Sequence, residues 1–234
     1  MKSTGNPGRF VGLLYVSVSF LGLFALIYVP NKVMVHGDAA ATAGNLAAHE
    51  TLFRMGIAAE LASQILFLWV ALALYDLLKG VGQRPAMLMF GLFAVSVPIA
   101  LANELNAMAA LVLVRGENFL SVMEKPQRDA LAMLFLNLHN HGFGICEIFW
   151  GLWLFPLGLL VYRSGFIPRI LGVLLMVSCF AFVAESLMPL VLPEYAAIVS
   201  RWTGVLRSGE LVLMFWLLIV GAKPKAVVAA PAVG

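Results

Sequence analysis

Charge is what this sequence has least of: Asp, Glu, Lys and Arg make up 12% of its 234 residues, while 62% are hydrophobic. A soluble domain carries about 25% charged and about 45–50% apolar residues, so a water-soluble globule, a disordered chain and a collagenous one are all excluded. Cysteine is scarce too. Cys146 and Cys179 sit in separate apolar runs, which excludes a disulfide framework and a C-x-x-C metal site and leaves them as small buried hydrophobes. The net charge of +3 is not gathered into a Lys/Arg block, so nucleic acid is not an expected partner. The sequence also lacks a Gly-x-Ser-x-Gly elbow, a phosphate-cradling glycine loop and a His-Glu-x-x-His helix. Covalent hydrolysis and nucleotide binding therefore have no motif behind them.

What is present is a series of long apolar runs. Crossing about 30 Å of hydrocarbon takes about 20 apolar residues in a helix, and six runs meet that length: 10–29, 52–78, 86–114, 130–162, 167–192 and 205–222. The sequence thus predicts an all-α bundle of six transmembrane helices embedded in a lipid bilayer. Residues 1–222 are read as one membrane domain and 223–234 as a short disordered cytoplasmic tail. The first run is longer than the h-region of a signal peptide, which marks it as a retained span. Flanking basic residues set the direction. Lys2, Arg9, Lys79, Arg84, Arg163, Arg169, Lys223 and Lys225 lie on one side, and Lys32, Arg115, Lys125, Arg128 and Arg201 on the other. By the positive-inside rule both termini are cytoplasmic.

Two hairpins resemble each other. Glu60 precedes Tyr75 by 15 residues and Glu147 precedes Tyr162 by the same 15; each tyrosine is followed by a charged residue, a short basic loop and a proline, Pro85 or Pro168. The next helix reaches a glutamate in similar text, Asn103-Glu104-Leu105 against Ala184-Glu185-Ser186. Repeated helical hairpins and coincidence in a Leu/Ala-rich text both remain open.

The segments GDAAATAGNLAAHETLFRMGIAAEL (37–61) and LHNHGFGICEIFWGLWLFPLGLLVYRSGFIPRILGVLL (138–175) resemble a widespread bacterial integral-membrane family classified only as a domain of unknown function. The similarity extends from about residue 10 to 221 and is most specific in Leu52-Phe-Arg-Met-Gly56, in the turn holding His139, Gly142 and Phe143, and in Tyr162-Arg-Ser-Gly-Phe-Ile-Pro-Arg169. It implies a multi-pass protein of the bacterial cytoplasmic (inner) membrane. It supplies no activity and no catalytic residues.

An ionisable group inside a membrane helix is costly, about 2.5–3.5 kcal/mol for Asp, Lys or Arg at the centre, and so implies a partner or a polar cavity. Glu60, Glu104, His139, Glu185 and Glu210 fall about five to ten residues from the outer ends of five different spans. Asn103, Asn106, Asn137, Asn140, His141, Gln64, Arg54 and Arg207 belong to the same layer, Glu147 stacks on one stripe with Asn140, and the inner halves are nearly all apolar. Glu60 and Gln64 share a helix face, as do Asn103 and Asn106; His139 and His141 do not. Arg207 and Glu210 are three apart and positioned to pair, and Arg54 is placed to neutralise a carboxylate of a neighbouring helix.

The pattern predicts an outward-facing carboxylate/His pocket that binds or translocates a small polar or cationic ligand. In it Glu60, Glu104, Glu185 and Glu210 supply negative charge, His139 is a ligand or proton-relay group, and Arg54 and Arg207 tune the carboxylates. Pro98, Pro156 and Pro189 are candidate helix breaks that would free backbone carbonyls for such a ligand. An alternative is a metal-dependent membrane enzyme acting on a lipophilic substrate, with His139, Glu60 and Glu104 holding a divalent metal ion. A second is a structural protein whose polar groups only join helices.

Overall fold

The structure, a computed structural model, describes residues 6–223; of the expected tail, all but Lys223 lies outside the described residues. These contain ten α-helices and no β-strand. In chain order they are α1 (Pro7–Leu23), α2 (Val29–Val33), α3 (Ala39–Ala48), α4 (Glu50–Leu78), α5 (Gln83–Arg115), α6 (Lys125–Leu152), α7 (Leu154–Ser164), α8 (Arg169–Val191), α9 (Ala196–Leu206) and α10 (Gly209–Ile219). Six helical stretches among the described residues are long and apolar enough to cross a membrane: Pro7–Val33, Glu50–Leu78, Gln83–Arg115, Lys125–Ser164, Arg169–Val191 and Pro193–Ile219. Phe20, Trp69, Phe180 and Ile219 are each more than half exposed, as side chains facing lipid are.

Three of the six spans are discontinuous. In the first, Phe24–Tyr28 form a π-helical turn in which the Val29 N–H returns to the Phe24 carbonyl. Pro30 follows directly and has no N–H to return to Leu26, so the α-helical ladder has a missing rung there. The fourth span is interrupted at Trp153, shortly before Pro156. The sixth is broken at Arg207 and Ser208, and the freed Leu206 carbonyl accepts from Ser178 Oγ at 2.7 Å. Pro98 and Pro189 lie inside continuous helices, so of the three expected breaks only the one near Pro156 is present.

The segment between the first two spans is not a plain loop. Asp38 accepts from the Ala41 N–H at 2.8 Å and caps the alanine-rich α3, the arrangement an Asp before a run of strong helix formers favours.

The chain divides into two compact units, and every boundary between them falls inside a helix. Unit 1 comprises residues 1–16, 69–93 and 148–234, and unit 2 residues 17–68 and 94–147. In unit 1 small residues bring backbones together. A Cβ at Gly158 would lie 2.6 Å from the Gly172 carbonyl oxygen, and one at Gly12 would lie 2.7 Å from the Leu217 carbonyl carbon. Close backbone approach of this kind substitutes for the hydrophobic effect, which does not drive association inside lipid. Trp153 is fully buried against Phe93, with ring centroids 5.3 Å apart. The Tyr162–Arg169 motif builds the α7–α8 turn: Gly165 ends α7 with φ +69°, Pro168 precedes α8, and Arg169 lies 5.6 Å from the centre of the Tyr162 ring.

Unit 2 is held by an apolar cluster to which α2, α3, α4, α5 and α6 all contribute. It includes Val29, Val33, Leu46, Phe53, Ile57, Ala107, Leu111, Ala132 and Leu136. Val29 also packs on Gly56, where a Cβ would come within 3.1 Å of Val29 Cγ1.

Candidate functional site

Glu60 on α4 and Glu104 on α5 are both 2% exposed. Burial at that level requires each carboxyl to be partnered, and the partners come from helical spacing. Gln64, one turn on, donates Nε2–H to Glu60 Oε1 at 2.7 Å, and Ser63 Oγ lies 3.4 Å from Oε2. His139 on α6 places Nε2 at 2.9 Å from Glu104 Oε1.

A second contact fixes α6 against α5. Asn103 donates Nδ2–H to the His139 carbonyl at 2.8 Å and accepts from Asn106 at 3.1 Å. A Cβ at Gly142 would lie 2.9 Å from Asn103 Nδ2 and closer still to its Oδ1, so only glycine leaves room for that side chain. Phe143 then sets its ring edge-on to His139, 4.8 Å between centroids. The turn holding His139, Gly142 and Phe143 is therefore a device for seating one imidazole.

Glu60, Glu104, His139 and Asn140 line a cavity of about 40 Å³. The remaining lining is apolar or small: Ala25, Leu26, Val29, Pro30, Val33 and Met34 from the first span, Phe53, Gly56 and Ile57 from α4, Ala107 from α5 and Leu136 from α6. No lysine or arginine contributes. A cavity needs roughly 10–15 Å³ of such volume to hold one water, so this one has room for about three waters and not for a large molecule.

Between the carboxylates and the Glu50, Arg115 and Lys125 ends of their helices the chain places apolar side chains, Phe53, Ile57, Ala107 and Leu136 lining the cavity and Leu111 and Ala132 packed in the same cluster. The lining residues classed as exposed are Leu26 and Asn140, on the flanks of the first span and of α6.

Several predicted residues stand elsewhere. Arg54 is 48% exposed and pairs with Glu50 on its own helix at 2.8 Å, because both lie at the α4 end and not in the buried layer. Arg207 reaches beyond its neighbour Glu210. The helix break after Leu206 aims it at Glu185 of α8, 2.9 Å away, with its guanidinium carbon 3.9 Å from the centre of the Phe182 ring. Thr203 Oγ1 donates to the same carboxylate at 2.8 Å. Glu210 hydrogen-bonds to the hydroxyl of Tyr15. Glu185, Arg207 and Glu210 are in unit 1, whereas Glu60, Glu104 and His139 are in unit 2. Glu147 is half-buried and does not line the cavity.

Among the described residues no group of three or more His, Cys, Asp and Glu is assembled as a metal-binding set. Glu60, Glu104 and His139 share a cavity, but their first partners are Gln64, Ser63 and one another.

Sequence reasoning missed Ser63, Tyr15, Thr203 and Ser178. Ser63 and Thr203 had a signal, an i+3 hydroxyl beside a membrane glutamate and one a turn before a membrane arginine. Tyr15 and Ser178, whose partners lie on distant spans, had none.

The sequence profile of a domain of unknown function, DUF4386, matches residues 10–221. An uncharacterized protein of Archaeoglobus fulgidus is 30% identical over 167 residues, covering 71% of this chain and 84% of that protein. No solved structure matches. With a profile match over nearly its whole length, this chain of six candidate membrane spans belongs to the DUF4386 family, a domain of unknown function.

Proposed function

We propose that the protein binds a small cation at Glu60, Glu104 and His139. One observation carries this reading: two carboxyl groups from different helices, each 2% exposed, meet a cavity whose only basic lining residue is one histidine. With both acids ionised the site has an excess of negative charge whether or not His139 is protonated, and inside a membrane an unmatched charge calls for a counter-charge. Gln64 does not line the cavity and acts through Glu60, to which its amide N–H is donated. In this reading Glu104 is the anionic contact and His139 its positioning and proton-exchanging partner. Glu60 is the second anion, and Asn103 holds α6 in register.

The helix-glue alternative explains the Glu185–Arg207 pair well, since that carboxylate has its own guanidinium and hydroxyl partners. It explains the cavity less well, because glue has no use for open volume beside two acids.

The test is thermal unfolding of the protein in zwitterionic lipid nanodiscs, with sodium, methylammonium or hexylammonium added as chloride. A ligand that binds only the folded state stabilises it by RT ln(1 + [L]/Kd). At least one of the three is expected to raise the midpoint of the wild type and to lose that effect in Glu104→Gln. No Glu104-dependent shift with any of them overturns the proposal.

A further inference from the structure

From the way the cavity opens we infer the class of cation: an ammonium with an apolar tail, reaching the site sideways from the bilayer between the first span and α6. This rests on the cation reading above and goes beyond it in naming the ligand's body and its route.

Three features carry the inference. Toward the Glu50 and Arg115 helix ends stand the buried apolar residues Leu46 and Leu111. The lining residues that reach the surface, Leu26 and Asn140, are on the flanks instead. Leu26, Pro30 and Met34 are spaced four apart and form one edge of the first span, and Leu136 and Asn140, also four apart, form an edge of α6; all five line the cavity. On its other side the first span is shut against α4 by the Val29–Gly56 contact. Leu26 lies seven residues before Val33, about 10 Å along the helix from that end. Its neighbour Ile27 is 53% exposed and Leu138 on α6 is 45% exposed, so the surface around the opening is made for lipid tails.

The chemistry of the lining gives the shape of the ligand. Acid groups and one imidazole stand at the floor, whereas the walls contributed by the first span are wholly apolar. A bare inorganic cation would leave those walls without a partner, and a neutral lipid would leave the acids without one. The volume of about 40 Å³ holds an ammonium head and its first carbons, and the rest of a chain would lie out through the opening among lipid tails. Met34 and the π-helical turn give that wall an adaptable surface.

The test compares methylammonium, hexylammonium and neutral hexanol on the protein in the same nanodiscs, with empty nanodiscs subtracted and ligand expressed as its free aqueous concentration. Binding is read from tryptophan fluorescence. Each methylene removed from water is worth about fourfold, so hexylammonium is expected to bind at least about tenfold more tightly than methylammonium. That binding should be lost in Glu104→Gln, and hexanol should show no dependence on Glu104. Leu26→Trp, at an exposed position where a larger side chain meets only lipid and the opening, should weaken hexylammonium at least about tenfold. Ile27→Trp, beside the opening but not lining it, should not.

Equal affinity for methylammonium and hexylammonium, or hexylammonium binding untouched by Leu26→Trp, overturns this inference and leaves the cation site standing. Loss of every Glu104-dependent effect overturns both.

Discussion

Gly142→Ala is the substitution whose cost can be worked out most directly from the structure. The new methyl group would stand 2.9 Å from Asn103 Nδ2 and nearer to Oδ1, so the Asn103 side chain must turn away. Turning gives up its bond to the His139 carbonyl at 2.8 Å and the one it accepts from Asn106 at 3.1 Å. The bond to the His139 carbonyl joins two membrane helices, where such bonds average about 0.6 kcal/mol; the bond to Asn106 lies within α5, where a pair of this kind contributes about 0.2–0.5 kcal/mol; and a displaced rotamer adds about 0.5–1.5 kcal/mol. The total is about 2 kcal/mol, slightly offset by the better helix propensity of alanine. In an Asn103→Ala background the obstruction is absent, and the same change should cost less than about 0.5 kcal/mol or even stabilise. The assay is SDS-induced unfolding in lipid–detergent micelles followed by tryptophan fluorescence, run as a double-mutant cycle. A coupling of about 2 kcal/mol is expected. Equal costs of Gly142→Ala in both backgrounds would falsify the assignment of Gly142 as the space for Asn103.

Other outcomes follow from the same geometry. Arg207→Ala should destabilise by about 2–4 kcal/mol, since it strands Glu185 and removes a cation from the Phe182 face; Arg207→Lys should recover less than half of that, and full recovery by lysine would rule out the stacked geometry. Gly12→Ala meets backbone of the last span and not a movable side chain, so a loss of at least about 2 kcal/mol is expected, and an unfolding curve superimposable on the wild type would count against the close approach. For orientation, a reporter fused after Gly234 should be active in the cytoplasm, as the flanking basic residues require; periplasmic activity would reverse the topology.

The number and approximate limits of the spans were legible because a bilayer imposes one rule, length of apolar run, on every crossing. Pairings one turn apart were legible too: Glu60 with Gln64 and Asn103 with Asn106 follow from helical spacing. What the sequence hid was whatever depends on how a helix fails to be regular. The break at Arg207 turns that side chain from Glu210, its neighbour in sequence, to Glu185 on another helix. The cap on α3 depends on Asp38, which lies outside every apolar run. The apolar walls of the cavity were hidden for another reason. Counting polar groups by depth finds where charge lies but not which leucine and phenylalanine side chains stand beside it. The hairpin resemblance gains one parallel, since Tyr75 and Tyr162 each lie beneath a cation that follows in the chain, Lys79 just past the end of α4 at 5.5 Å and Arg169 at the start of α8 at 5.6 Å.

The two ends of the described chain are tied together. Asn6 Oδ1 accepts from the Ala222 N–H at 3.0 Å, the Gly8 N–H donates to the Ala222 carbonyl at 3.0 Å, and Arg9 reaches the Ile219 carbonyl at 2.9 Å. Gly8 and Gly12 leave just enough room for the backbone they meet. During synthesis the first helix therefore reaches the membrane with its glycine groove uncovered, and the segment that fills it is made more than 200 residues later. The earlier helices must wait, in lipid and without their final neighbour, until the last one arrives. A chain stopped before Ile219 lacks the backbone that Gly8, Arg9 and Gly12 meet, so the packing of the first helix depends on a segment more than 200 residues away in sequence.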